Sequence, residues 1–172
     1  MQHEEQNLSK EDFDKLSRDY LYCRLYEMSN GKYYEILKNT LVASKEFRED
    51  AIQQCFSAFE QEQYFLCTCG LLTIIEGLLA KYAQSSNTRL SSLLRKIEDK
   101  VDQGQDLEQI LAVENIKGYI ELLTAKSDFQ NGIEPSTLNR HWILHGRSQR
   151  SVGKADCLRL FSILSLILEV SH

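Results

Sequence analysis

The sequence predicts an all-α protein, and three observations carry that prediction. Apolar residues recur at three and four positions over most of the chain, and no segment alternates convincingly with a period of two. A single proline in 172 residues leaves long stretches without a breaker. Apolar residues make up 42% of the chain, enough for a genuine core, with no internal repeat to suggest a stacked-repeat architecture. The length suits one helical bundle over residues 46–172, with residues 1–45 as an N-terminal helical extension packed on it.

Each element has its own signature. Residues 1–8 are polar and expected to fray, and Ser9 with Asp12 resembles a capping box that opens the first helix. Phe13, Leu16, Tyr20 and Cys23 form its apolar stripe, and Ser29-Asn30-Gly31 supplies residues that tolerate a left-handed backbone and end it. Residues 33–42 read as helix again, and 46–60 as another whose apolar side is Phe47, Ala51, Cys55, Ala58 and Phe59. Residues 64–82 leave little polar face. Their uncharged apolar run ends at Glu76 after about eleven residues, short of the ~20 needed to span a bilayer, so a buried central helix is expected and no membrane partner.

A polar break at 84–87 is followed by a stripe of Leu90, Leu93, Leu94, Ile97 and Val101, with Lys96 and Lys100 on the outer side. After a turn at Gly104, residues 107–123 form a long helix despite Gly118. Residues 127–138, with Asn131-Gly132, Pro135 and Ser136-Thr137, read as a loop. A short helix over 140–145 closes at Gly146, a basic loop runs to Gly153, and residues 154–170 form a heavily buried last helix.

Charge is unevenly spread. The net charge of −5 argues against a protein that coats nucleic acid through its overall field. Residues 1–138 hold 15 Lys/Arg against 23 Asp/Glu, whereas residues 139–172 hold 5 against 2. Arg140, Arg147, Arg150, Lys154 and Arg159 supply that local excess, which reads either as a solvated surface or as an anion site. The five cysteines form no C-x-x-C pair and accompany no secretory leader pattern, so reduced thiols in a cytoplasmic protein are expected.

Residues 139–146, Asn-Arg-His-Trp-Ile-Leu-His-Gly, concentrate the chemistry. His141 and His145 stand at i and i+4 and share a helix face, and Arg140 can swing round to join them. Two imidazoles that exchange protons near neutral pH beside a guanidinium suit work on a phosphate. Three readings stand side by side. Metal binding has two histidines at ligand spacing, but it needs a distant third ligand such as Glu76 or a cysteine and must overcome Arg140. Packing histidines are the plain alternative, given Trp142, Ile143 and Leu144 between them. RNA phosphodiester cleavage needs a base for the 2′-hydroxyl, an acid for the leaving oxygen and a cation for the phosphorane, and requires no metal or cofactor. Glu76, a carboxylate on an apolar helix, either lies at its edge beside a lysine or faces this stretch. Arg147, Arg150 and Lys154 are candidate RNA contacts, as is Trp142 by stacking a base, although packing is the other reading of the tryptophan.

Arg140, four intervening residues and His145, with a polar residue directly after the arginine, resemble the Arg-x4–6-His signature of the HEPN superfamily. The Asn-Arg-His start, the His-Gly end, the basic turn, the apolar final helix and the Ile-Glu-Gly-Leu-Leu ending of the central helix extend the resemblance over residues 46–170. HEPN domains are all-helical bundles, many of them metal-independent RNases in toxin, phage-defence and CRISPR systems. The resemblance implies a homodimer in which Arg140 and His145 of both subunits meet in one cleft. His145 would transfer the proton, Arg140 would clamp phosphate, His141 would orient or assist, and Glu76 would orient Arg140, with Asn139 in support. RNA would be the substrate, and an antitoxin or regulatory protein a further partner. In one respect the chain departs from the pattern. Toxins of this kind that are silenced by a nucleotidyltransferase carry a tyrosine two residues after the histidine, where this chain has Arg147. Other HEPN domains are non-catalytic binding or dimerisation modules.

Overall fold

A computed structural model describes residues 10–85, 90–101, 107–125 and 132–170. Among them are seven helices and no strand: α1 (Lys10–Ala43), α2 (Glu49–Glu60), α3 (Tyr64–Tyr82), α4 (Leu90–Val101), α5 (Leu107–Leu123), α6 (Arg140–Leu144) and α7 (Lys154–Glu169). Residues 1–8, the Ser9 cap, the Gly104 turn, residues 127–131 of the expected loop and Ser86-Asn87 of the 84–87 break fall outside the described residues. So do the side chains of Phe13, Ile97, Lys100 and Val101.

The two most apolar helices sit at the centre. α3 packs on α2, α4, α6 and α7, and α7 packs on α1, α3 and α5. α3 is long and apolar enough to cross a membrane by length and composition; here Leu71, Leu72, Ile75 and Leu79 are at most 1% exposed against its neighbours, while Phe65 and Leu66 near its start stay exposed. Aromatic rings knit the centre together. Phe56 of α2 stacks on Phe161 of α7 at a centroid distance of 4.2 Å, and Phe59 meets the same ring edge-on at 5.7 Å. α2 approaches α3 closely because Gly70 has no side chain; a Cβ there would stand 2.6 Å from the Cys55 sulfur. Apolar burial of this kind, at roughly 25 cal/mol per Å², is the main force holding the helices together.

Three expectations are revised. Residues 10–43 form one helical element with no loop between its halves, although Asn30 and Gly31 adopt φ of 56° and 77°. The left-handed residues are legible, but the helical element continues past them: Tyr22 and Tyr26 before them bond Ser162 of α7, and Leu37 and Leu41 after them are buried in the common core. The proposed stripe of α1 holds only in part: Cys23 faces the core as expected, but Leu16 and Tyr20 are more than half exposed, and Tyr22, Tyr26, Leu37 and Leu41 face the core instead. α1 carries apolar residues on two faces, so periodicity alone does not choose between them. Finally, α2 starts at Glu49, not Glu46, because the Glu46 carboxylate is drawn to the end of α3, accepting from Lys81 Nζ at 2.8 Å and Tyr82 OH at 3.1 Å. Within α2 the fully buried residues include Ile52 and Phe56, both missing from the expected apolar side.

Candidate functional site

Asn139 sets the start of α6. Its backbone is extended (φ −121°, ψ 121°), and its Oδ1 accepts from the N–H groups of His141 at 3.0 Å and Trp142 at 3.4 Å, an N-cap. Its Nδ2 donates to the Ala125 carbonyl at 2.9 Å, so the cap also ties α6 to the chain leaving α5. Asn139 is 1% exposed, and its role is to position its neighbours. The other end closes on Gly146, with φ of 65°, whose N–H donates to the Ile143 carbonyl at 3.0 Å. The N–H groups of Arg147 and Ser148 both reach the Trp142 carbonyl.

Between these caps, α6 has one buried and one open side. Trp142 and Ile143 are buried, at 5% and 2% exposure. The stacking role considered for Trp142 is therefore corrected: no base reaches a ring enclosed by the core. His141 is half-buried and His145 exposed, their rings parallel within 4° at a centroid separation of 6.2 Å. The i, i+4 spacing brings them together as expected.

Arg140 turns across to α3. Its Nε donates to Glu76 Oε2 at 3.1 Å, and its Nη2 bonds the same oxygen. Both side chains are 19% exposed. Of the two positions open to Glu76, the structure adopts the one facing Arg140, and a guanidinium is the partner that a carboxylate on a mostly buried helix needs. His141 feels this arrangement. Burial lowers its pKa first, followed by the charges of Arg140 and His145, and Glu76 partly opposes them. The imidazole is therefore kept below the usual histidine value and neutral at physiological pH.

The basic cluster does not converge on this face as a set of uncommitted charges. Arg150 Nη2 donates to both oxygens of Asp156 at 2.9 and 3.1 Å, in a pair with side chains 13% and 8% exposed. Lys154 bonds Glu27 of α1 at 2.8 Å, and Arg159 bonds Asp19 of α1 at 2.6 Å. The local positive balance of the sequence is thus met by carboxylates, two of them more than a hundred residues away. Arg147 lies exposed just past Gly146. Sequence reading missed Glu134, whose carboxylate accepts from the Ser148 hydroxyl and from the N–H groups of Gln149 (2.7 Å) and Arg150 (3.1 Å), fixing the loop after α6. Nothing in a lone Glu before Pro135 signals that task.

Among the described residues no group of three or more His, Cys, Asp or Glu is placed to hold a metal ion. Cys55, Cys67 and Cys157 are buried free thiols, with the Cys157 sulfur 3.5 Å from Thr68 Oγ1 and 3.4 Å from the Tyr64 carbonyl. No family model, curated protein or solved structure matches this chain.

Proposed function

We propose that the chain is a cytoplasmic, metal-independent endoribonuclease of HEPN type, acting in stress response or phage defence. One observation carries this reading: Arg140, anchored through Nε and Nη2 to Glu76, stands directly before two stacked histidines on one open helix face. Arg140 binds a phosphate oxygen with the donors that Glu76 leaves free, since a guanidinium carries five. His141, neutral at physiological pH, accepts the 2′-hydroxyl proton. The 2′-oxygen attacks phosphorus, the bond to the 5′-oxygen breaks, and His145 donates a proton to that leaving oxygen. The products are a 2′,3′-cyclic phosphate and a free 5′-hydroxyl, with no net change of protons.

The test is cleavage of total RNA in the presence of EDTA by wild type, by His145→Ala and by Arg140→Ala/His145→Ala. Cleavage by wild type alone, leaving cyclic phosphate ends, is expected. Intact RNA with wild type, or equal cutting by the double variant, defeats the proposal.

A second reading is a non-catalytic helical dimer that binds RNA, a nucleotide or a partner protein. It draws on the outer face of α1, where Leu16, Tyr20, Leu21, Leu25, Met28, Tyr33 and Ile36 are each about half exposed or more. RNA binding that survives the double substitution without turnover favours it.

A further inference from the structure

A cavity of about 820 Å³ lies between α1, α5, α7 and the loop segments 134–138 and 149–150. Neither Glu76, Arg140, His141 nor His145 lines it, so it is separate from the candidate site. Its volume falls in the range of small-molecule pockets.

The charges on its wall do not cancel. Its three carboxylates already have partners. Asp19 accepts from Arg159, Asp156 from Arg150 and from the Gly153 N–H at 3.0 Å, and Glu134 from Ser148 and two backbone N–H groups. Lys15 and Arg18, on the α1 side, have no carboxylate partner among the described residues, and Lys15 Nζ donates only to the Ser136 carbonyl at 3.1 Å. Four cations, Lys15, Arg18, Arg150 and Arg159, face three carboxylates, so even with Glu134 counted the wall keeps an excess of one positive charge.

Two further groups point the same way. Nε and Nη1 of Arg150 and the hydroxyl of Tyr119 are buried without a hydrogen-bond partner among the described residues. Nη2 alone serves Asp156, which leaves the Nε–H and both Nη1–H bonds of a buried cation without an acceptor. A buried cation with part of its donor set unmet is costly, and a negative charge nearby stabilises the cation even without contact. These atoms are enclosed, so an incoming anion meets Lys15 and Arg18 first and acts on Arg150 through the field. Leu122, Leu123 and Leu138 add apolar lining.

We propose that this cavity binds a small molecule bearing an oxyanion, a phosphate or a carboxylate, on an apolar body. The site does not depend on the ribonuclease reading. The experiment is isothermal titration of the full chain with inorganic phosphate, adenosine monophosphate and benzoate, on wild type, Lys15→Gln/Arg18→Gln and Arg140→Gln/His145→Ala. Neither Lys15 nor Arg18 belongs to the buried core, and the hydrogen bond put at risk is Lys15 Nζ to the Ser136 carbonyl. Saturable binding of adenosine monophosphate or benzoate by wild type is expected, weakened about tenfold or more in Lys15→Gln/Arg18→Gln, a loss of about 1.4 kcal/mol, and retained in Arg140→Gln/His145→Ala. Adenosine monophosphate alone would assign a phosphate and benzoate alone a carboxylate; either supports the site. Tyr119→Phe removes the unmet hydroxyl without changing the ring, and the free protein should melt at an equal or higher temperature than wild type. The proposal is overturned by the absence of saturable binding at millimolar concentrations. It is equally overturned by binding that survives Lys15→Gln/Arg18→Gln and disappears in Arg140→Gln/His145→Ala.

Discussion

His141 is the residue where local environment and chemistry meet most directly. Burial and the neighbouring positive charges of Arg140 and His145 depress its pKa below the ordinary value of 6.5. The folded state therefore resists protonation that the unfolded chain accepts. The resulting stability is fully present above the unfolded pKa and is lost as pH falls through the folded pKa. NMR titration of the ring C–H signals should place His141 below 6.5, and urea midpoints should fall on acidification below that pH. His141→Gln should flatten that fall. An unchanged pH profile in the variant would contradict the assignment. The residue pattern was legible here, since i, i+4 histidines on a short helix must share a face. Trp142 was not, because an aromatic inside a polar motif reads equally as packing or stacking until its burial is known.

At the scale of the element, two junctions depend on single residues. Asn139 caps α6 and reaches back to Ala125, so Asn139→Ala removes all three of its side-chain hydrogen bonds. We expect a loss of about 1 kcal/mol in urea unfolding, from the cap alone. Asn139→Ser should recover part of it, because a hydroxyl acceptor for the cap is kept and only the donor to Ala125 is lost. The second junction is the α2–α3 contact. Gly70→Ala gains helix propensity of up to about 1 kcal/mol, but the new methyl would lie 2.6 Å from the buried Cys55 sulfur, and overpacking costs about 1–3 kcal/mol. Net destabilisation is expected, reversed in the Cys55→Ala background where the sulfur is gone. A double-mutant cycle by chemical denaturation measures it, and additive effects would show that the two residues do not meet. The sequence placed Asn139 only in support of Arg140 and His145, and its capping bonds came with the fold. Gly70 was not legible, because its neighbour comes from a different helix.

The whole molecule is built around α3 and α7, with α1 laid along α7 and fastened by Arg159–Asp19 and Lys154–Glu27. Each ion pair is partly exposed, so screening limits its worth and the apolar contacts carry the packing. The resemblance to HEPN domains implies that two chains would bring Arg140 and His145 into a shared cleft. Light scattering should then give the mass of a dimer, and RNA cleavage per chain should fall on dilution through the dissociation range. A monomer that cleaves RNA with undiminished rate per chain would contradict a shared cleft while leaving a ribonuclease of another design.

By itself, the sequence determined the all-helical class, the helix at 64–82, the apolar last helix, the left-handed pair at Asn30–Gly31 and the clustering of Arg140, His141 and His145. All of these follow from periodicity, turn chemistry and short-range spacing, which act within a few residues. Only the tertiary structure decided which face of α1 is buried, that Glu76 meets Arg140, and that Arg150, Lys154 and Arg159 are each matched by a carboxylate. Those outcomes join residues separated by as many as 140 positions, such as Arg159 and Asp19. Charge and burial at such range depend on how helices stack, and a local pattern cannot specify that.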